Sequence, residues 1–197
     1  MIKKKTAFYL GFSLLTLGIN GSLPFLERWV ENKNIEEIEF KVKETLDAGS
    51  MTLEPYWIIK GDSLAIPYSG ELFSSRFTIL NFWAPWCPPC IKEMPLLSKY
   101  HEEVKMNDVS IIGITGPYRS KDSEEPNQYL KWVKNTISNI DISYPLIFDI
   151  EAKNAFKFKA RSLPLTVLLD HQSRIIEYRI GIKGAQLIID RVNKNIK

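Results

Sequence analysis

The chain carries two cysteines, Cys87 and Cys90, inside the stretch "FWAPWCPPC" over 82–90. Thiols at this spacing suit three tasks: a passive staple, half of a metal site, or a pair that opens and closes by thiol–disulfide exchange. A staple across so short a gap removes little loop entropy from the unfolded chain. Exchange needs one sulfur that ionises readily, and the local pattern supplies it. Cys87 follows a strongly apolar run and opens a helical one. First-turn N–H groups without intrahelical partners, and the positive end of the helix dipole, then favour its thiolate. Such settings lower a cysteine pKa from ~8.5 to ~7 or below. Cys90, one turn on, lies on the same face at about 5–6 Å, within bonding reach after slight adjustment. Cys87 is therefore the expected nucleophile and Cys90 the resolving thiol. Pro88 suits a first turn, where a missing N–H is not missed. Pro95 is expected to kink the helix.

Those roles require a buried strand before the cysteines and a helix after them. "RFTILNFW" (76–83) is a near-continuous apolar run, as a strand buried on both faces would be. After Cys90, Ile91, Met94, Leu97 or Leu96, Tyr100 and Val104 recur at helical spacing. Upstream, "PYWIIKGDSLAIPY" reads as two short strands about the turn Lys60-Gly61-Asp62-Ser63. Downstream come a strand over 109–115, the polar loop "GPYRSKDSEEP", and a helix over 127–139 with Leu130, Val133 and Ile137 on one face. A strand over 144–149 and a short helix over 152–158 follow. "LPLTVLLD" and "RIIEYRIG" flank His171-Gln172-Ser173 as a hairpin, and a last helix uses Leu187, Ile188, Val192 and Ile196. Alternating strands and helices, closed by a hairpin and a helix, predict an α/β mixed sheet with helices on both faces.

A chain of 197 residues, 45% apolar and 25% charged, can build one core without disulfides. Two cysteines are too few for a disulfide-dense scaffold. A net charge of +3 gives no support to nucleic-acid binding. Lys3, Lys4 and Lys5 precede a stretch over 6–26 that holds no charged residue. A basic segment followed by an apolar one predicts an uncleaved signal anchor over 1–26. No Ala-x-Ala cleavage site and no lipid-accepting cysteine accompany it. A removed signal peptide is the alternative, and a buried core helix a third. Basic residues stay on the cytoplasmic side, so the remainder is expected outside the cytoplasmic membrane. The charged run over 27–50 reads as a stalk, and 51–197 as the domain.

"NFWAPWCPPCIKEMP" resembles the active-site segment of thioredoxin-fold proteins. It is most similar to the membrane-tethered TlpA/ResA/DsbE-like thiol–disulfide oxidoreductases, whose signature runs close to N-F-W-A-x-W-C-x-x-C-x-x-E-x-P. Asn81, Phe82, Trp83, Ala84, Trp86, Cys87, Cys90, Glu93 and Pro95 match it. The resemblance continues through "YPLIFD" and "SLPLTVLLDHQSRIIEYRIG", over about 55–196. It implies a thioredoxin fold: a mixed central sheet flanked by helices, with a central β/α insertion. It also implies a redox-active Cys87–Cys90 disulfide with no dissociable cofactor and no metal. Pro164 should be a cis-proline facing the cysteines, with the Leu163 backbone pairing with an extended client. A trans proline starting a strand is the plainer alternative. Trp86, Pro88 and Pro89 would support the surface around the sulfurs.

The resemblance further implies a bacterial single-pass protein of the cytoplasmic membrane, its catalytic domain facing the periplasm or outer surface. It would reduce protein disulfides, cytochrome c maturation being one setting, and draw electrons from a DsbD- or CcdA-like membrane partner. Two departures stand out. Asn81 occupies the place of the buried aspartate of thioredoxins, and Arg161-Ser162-Leu163 replaces a glycine-containing motif before the proline. Glu93 is the nearest acid for the Cys90 proton, although a charged helix residue is ordinarily a surface residue and that is the expectation for it. Trp83 reads as core, and Asn81 as a partner for local backbone groups.

Three rivals remain. The same dithiol could serve an oxidase or isomerase. A metal site would need further ligands, and only His101 and His171 are on hand; "HEEVK" has Lys105 where a zinc helix would place its second histidine. A redox-inactive adaptor would have no use for both thiols.

Overall fold

In the computed structural model the described residues are 53, 56–60, 63–68, 75–104, 108–118 and 126–196. The anchor expected over 1–26 and the stalk over 27–50 lie outside them, as do Gly61, Asp62 and most of the polar loop after Tyr118. In chain order the elements are β1 (Tyr56–Lys60), β2 (Ser63–Tyr68), β3 (Phe77–Trp83), α1 (Pro88–Val104), β4 (Val109–Thr115) and α2 (Pro126–Ile137). They continue with β5 (Leu146–Phe148), α3 (Lys153–Lys157), β6 (Leu165–Asp170), β7 (Ile175–Ile180) and α4 (Gly184–Asn195).

The strands form one sheet in the order β2-β1-β5-β4-β3-β6-β7. β3 sits inside it, parallel to β4 from Phe77↔Val109 to Trp83↔Thr115 and antiparallel to β6 from Phe77↔Asp170 to Phe82↔Leu165. Successive side chains of a strand point to opposite faces. Ile79 and Trp83 therefore enter the layer that holds Met94 and Leu97 of α1, Val133 of α2 and Ile188 of α4. Leu80 and Phe82 enter the other, with Ile112, Val167 and Phe158 just after α3. With both faces covered, β3 has no solvent side, which accounts for its unbroken apolar run. The arrangement is the thioredoxin-like fold, with α2, β5 and α3 all lying between β4 and β6 in the chain.

The helices refine the sequence reading. α1 continues through Pro95 to Val104, and its inward stripe uses Leu97, with Leu96 only partly buried. The α4 stripe runs through Ala185, Ile188, Ile189 and Val192, at the i, i+3, i+4, i+7 spacing of one helical face. Leu187 falls off that stripe and is 45% exposed, so its expected core role is wrong.

Candidate active site

β3 delivers the chain to the cysteines. After Trp83 a tight turn closes with the Cys87 amide donating to the Ala84 carbonyl at 3.0 Å. α1 then starts at Pro88, and the Ile91 amide donates to the Cys87 carbonyl at 3.2 Å. Cys87 thus occupies the cap position of the helix. Cys87 and Cys90 are joined in a disulfide with Cα atoms 5.3 Å apart, and both residues are buried. Pro88 is exposed and Pro89 half-buried.

The amide environment of Cys87 is sparser than the sequence argument assumed. Pro88 and Pro89 fill the first two helical positions, and neither has an N–H. The first amide of the helix able to answer the sulfur belongs to Cys90, and it donates to Cys87 Sγ at 3.3 Å. One directed hydrogen bond plus the dipole, rather than a fan of amides, favours a thiolate here.

The helix that holds Cys90 also carries a buried polar group that the sequence reading assigned to the surface. Glu93 is one turn past Cys90 and only 4% exposed. Neither carboxylate oxygen completes a hydrogen bond with protein. Burial pushes its pKa from the ordinary 4.5 up to about 7, offset in part by the nearby Ala185 amide and Asn81 carboxamide. The carboxyl therefore exchanges its proton around neutral pH. Tyr144 is its neighbour: burial, and next the Glu93 charge, raise that phenol. The Tyr144 hydroxyl and Trp83 Nε1 are likewise buried without a hydrogen-bond partner. Trp83 itself is core, as expected. Asn81 Nδ2 donates across the sheet to Thr166 Oγ1 at 3.2 Å, so its partner is a β6 side chain instead of local backbone.

The Leu163–Pro164 peptide bond is cis. Phe82 pairs with Leu165, which puts Pro164 level with the end of β3, where the cysteine turn begins. Leu163 and Trp86 both pack against the core cluster that contains the two cysteines. They also line a cleft of about 330 Å³ together with Tyr118, Ala155, Phe156, Lys159 and Arg161. Tyr118, Phe156 and Lys159 had no part in the sequence reading. The segments that carry them are far apart in the chain and meet only through the fold.

His101 lies on α1 with Nδ1 3.1 Å from Ser143 Oγ, and His171 is exposed in the β6–β7 turn. Among the described residues no group of three or more His, Cys, Asp and Glu side chains could hold a metal ion, and no helix is long and apolar enough to cross a membrane.

Comparison with known proteins agrees with this fold. The model of the AhpC/TSA family matches residues 67–179. Sporulation thiol-disulfide oxidoreductase A of Bacillus subtilis is 26% identical over 128 residues, which is 65% of this chain and 70% of that protein. A thiol-disulfide oxidoreductase ResA of Bacillus cereus is 31% identical over 102 residues, 52% of this chain and 53% of the relative. The chain thus spans only about half the length of this ResA relative. Among solved structures, StoA from Bacillus subtilis superposes with a TM-score of 0.55 at 20% identity, covering 72% of this chain and 99% of StoA. A secreted Mycobacterium tuberculosis disulfide oxidoreductase homologous to E. coli DsbE gives 0.52 at 18% identity, covering 77% and 98%. Those two likenesses establish the fold alone. The chain belongs to the AhpC/TSA family and is a relative of the thiol–disulfide oxidoreductases of the ResA and StoA type.

Proposed function

We propose that the protein reduces disulfides in client proteins through the Cys87/Cys90 pair. The observation that carries this reading is the disulfide itself: two sulfurs bonded at a helix start, with the Cys90 amide on Cys87 Sγ at 3.3 Å. In the reduced protein the Cys87 thiolate attacks a client disulfide. A Cys87–client S–S bond forms, the client bond breaks, and one client sulfur leaves as thiolate and takes up a proton. Cys90 then gives its proton to the Glu93 carboxylate and attacks Cys87 Sγ. The second client sulfur leaves, and the Cys87–Cys90 disulfide forms. Two electrons have moved from the protein dithiol to the client. The pair is the whole redox unit, so no dissociable cofactor enters.

Glu93 suits its role because a base whose pKa lies near the working pH transfers protons most effectively. Regeneration takes two electrons from another dithiol. With residues 6–26 as an apolar anchor behind three lysines, a membrane donor of the DsbD or CcdA kind is the natural source. Clients would then lie outside the cytoplasm, immature cytochrome c among them.

The roles are tested with single variants. Cys90→Ser should accumulate mixed disulfides with clients on non-reducing gels, and Cys87→Ser should form none. Trapping by the Cys87 variant alone would reverse the assignment. Direction is tested by equilibration with glutathione: a potential near about −120 mV, that of a strong dithiol oxidase, would sink the reductase reading.

A further inference from the structure

We propose that the cleft beside Trp86 selects clients: it takes an apolar side chain within two residues of the client's reacting cysteine, while Lys159 and Arg161 take an acidic residue next to it. This rests on the exchange reading above. The cleft shares Trp86 with the Cys87 turn and Leu163 with the cis-proline turn. An extended client lying across both advances about 3.3 Å per residue, so the residues next to its reacting cysteine are the ones placed to meet Trp86 and Leu163.

The lining states what fits. Ligand pockets run to about 300–1,000 Å³. At about 330 Å³ this one has room for a large aliphatic or aromatic side chain and part of its neighbour. Trp86, Tyr118, Phe156 and Ala155 make it mainly apolar. The Tyr118 hydroxyl is spent on the Ile114 carbonyl at 3.0 Å, which leaves its ring for contact. Phe156 is 85% exposed, an aromatic surface still to be covered.

The charge is one-signed. Lys159 and Arg161 are cationic, and among the described residues neither pairs with a carboxylate. The segment that bears them is fixed, because the Lys159 carbonyl accepts from the Tyr178 hydroxyl at 3.2 Å and from the Arg161 amide at 2.7 Å. Cations held at the edge of an apolar slot call for an acidic neighbour on the occupant and repel a basic one.

The test uses the full chain, reduced beforehand, and short peptides whose single cysteine is capped as a 2-pyridyl disulfide. Attack by Cys87 forms the peptide mixed disulfide and releases pyridine-2-thione, which is read by absorbance. Four peptides pair leucine or serine at one position with aspartate or lysine at the next. The leucine–aspartate peptide should react about tenfold faster than either leucine–lysine or serine–aspartate. The aspartate preference should shrink as salt is raised. In the double variant Lys159→Glu with Arg161→Glu the preference should turn toward lysine while the leucine preference persists. Dipyridyl disulfide, small and uncharged, checks the exchange chemistry separately on the wild type. No thione from it would sink the proposed reaction, whereas thione release with equal rates for all four peptides would overturn the cleft assignment alone.

Discussion

Replacing Glu93 with glutamine should stabilise the oxidised protein at alkaline pH and leave it nearly unchanged in acid. The carboxyl has an unfolded-state value near 4.5 and a folded one of about 7, because burial penalises its charged form. Below pH 4.5 both states hold the proton, and glutamine is a close stand-in for the neutral acid. Between 4.5 and about 7 the unfolded chain gives up its proton first, so native stability falls as pH rises. Above about 7 the full penalty is in place. The gap between 4.5 and about 7 corresponds to roughly 3 kcal/mol at 1.36 kcal/mol per pH unit. Urea titrations of wild type and Glu93→Gln at pH 4.5, 6 and 8 measure it directly. The variant's advantage should open across that window and level off by pH 8. A difference independent of pH, or one that closes as pH rises, would refute the buried carboxyl and with it the proton-acceptor role.

Two further predictions concern the frame that holds the site. Gly113 lies in β4 between Asn81 of β3 and Leu146 of β5; a Cβ there would overlap Leu146 Cδ2, come within 3.0 Å of the Tyr144 ring and within 3.4 Å of Trp83 Nε1. Gly113→Ala should therefore cost about 1–3 kcal/mol by overpacking, seen as a lower Tm, and an unchanged Tm would show that the neighbours yield freely. Asp170 holds the β6–β7 turn, accepting from the Gln172 amide at 2.8 Å, the Arg174 amide at 2.9 Å and Arg174 Nε at 2.7 Å. Partial burial works against its charge, but those donors win and hold its pKa below the ordinary 3.8. Asp170→Ala should cost about 1–2 kcal/mol at neutral pH. That loss should be present above pH 3.8 and fade as pH falls through the lowered value; denaturation midpoints at pH 7 and pH 2 that differ by the same amount would contradict it.

The redox pair and the strand that positions it were legible because their signals are local. A run of seven apolar-dominated residues reads as a doubly covered strand, and Cys87 to Cys90 is one helical turn. Glu93 was misplaced because a charge ordinarily marks the wet side of a helix. Yet Cys90, Met94 and Leu97 already define a face that includes position 93, and only the packing of Asn81 and Ala185 around it decides that the carboxyl stays inside. Leu187 failed for the opposite reason, since an apolar residue was taken to face inward although Ile188 and Ile189 already filled the stripe. The cleft had no local signature, because β4's end, α3 and the turn before β6 meet there only once the sheet has formed.

The pair of prolines behind Cys87 has a spectroscopic consequence. With no proton on the nitrogen of Pro88 or Pro89, the Cys90 amide is the first resonance in that helical turn able to feel the neighbouring sulfur gain charge. A single crosspeak of the reduced protein, followed through a titration, thereby becomes a direct gauge of how readily the attacking group ionises.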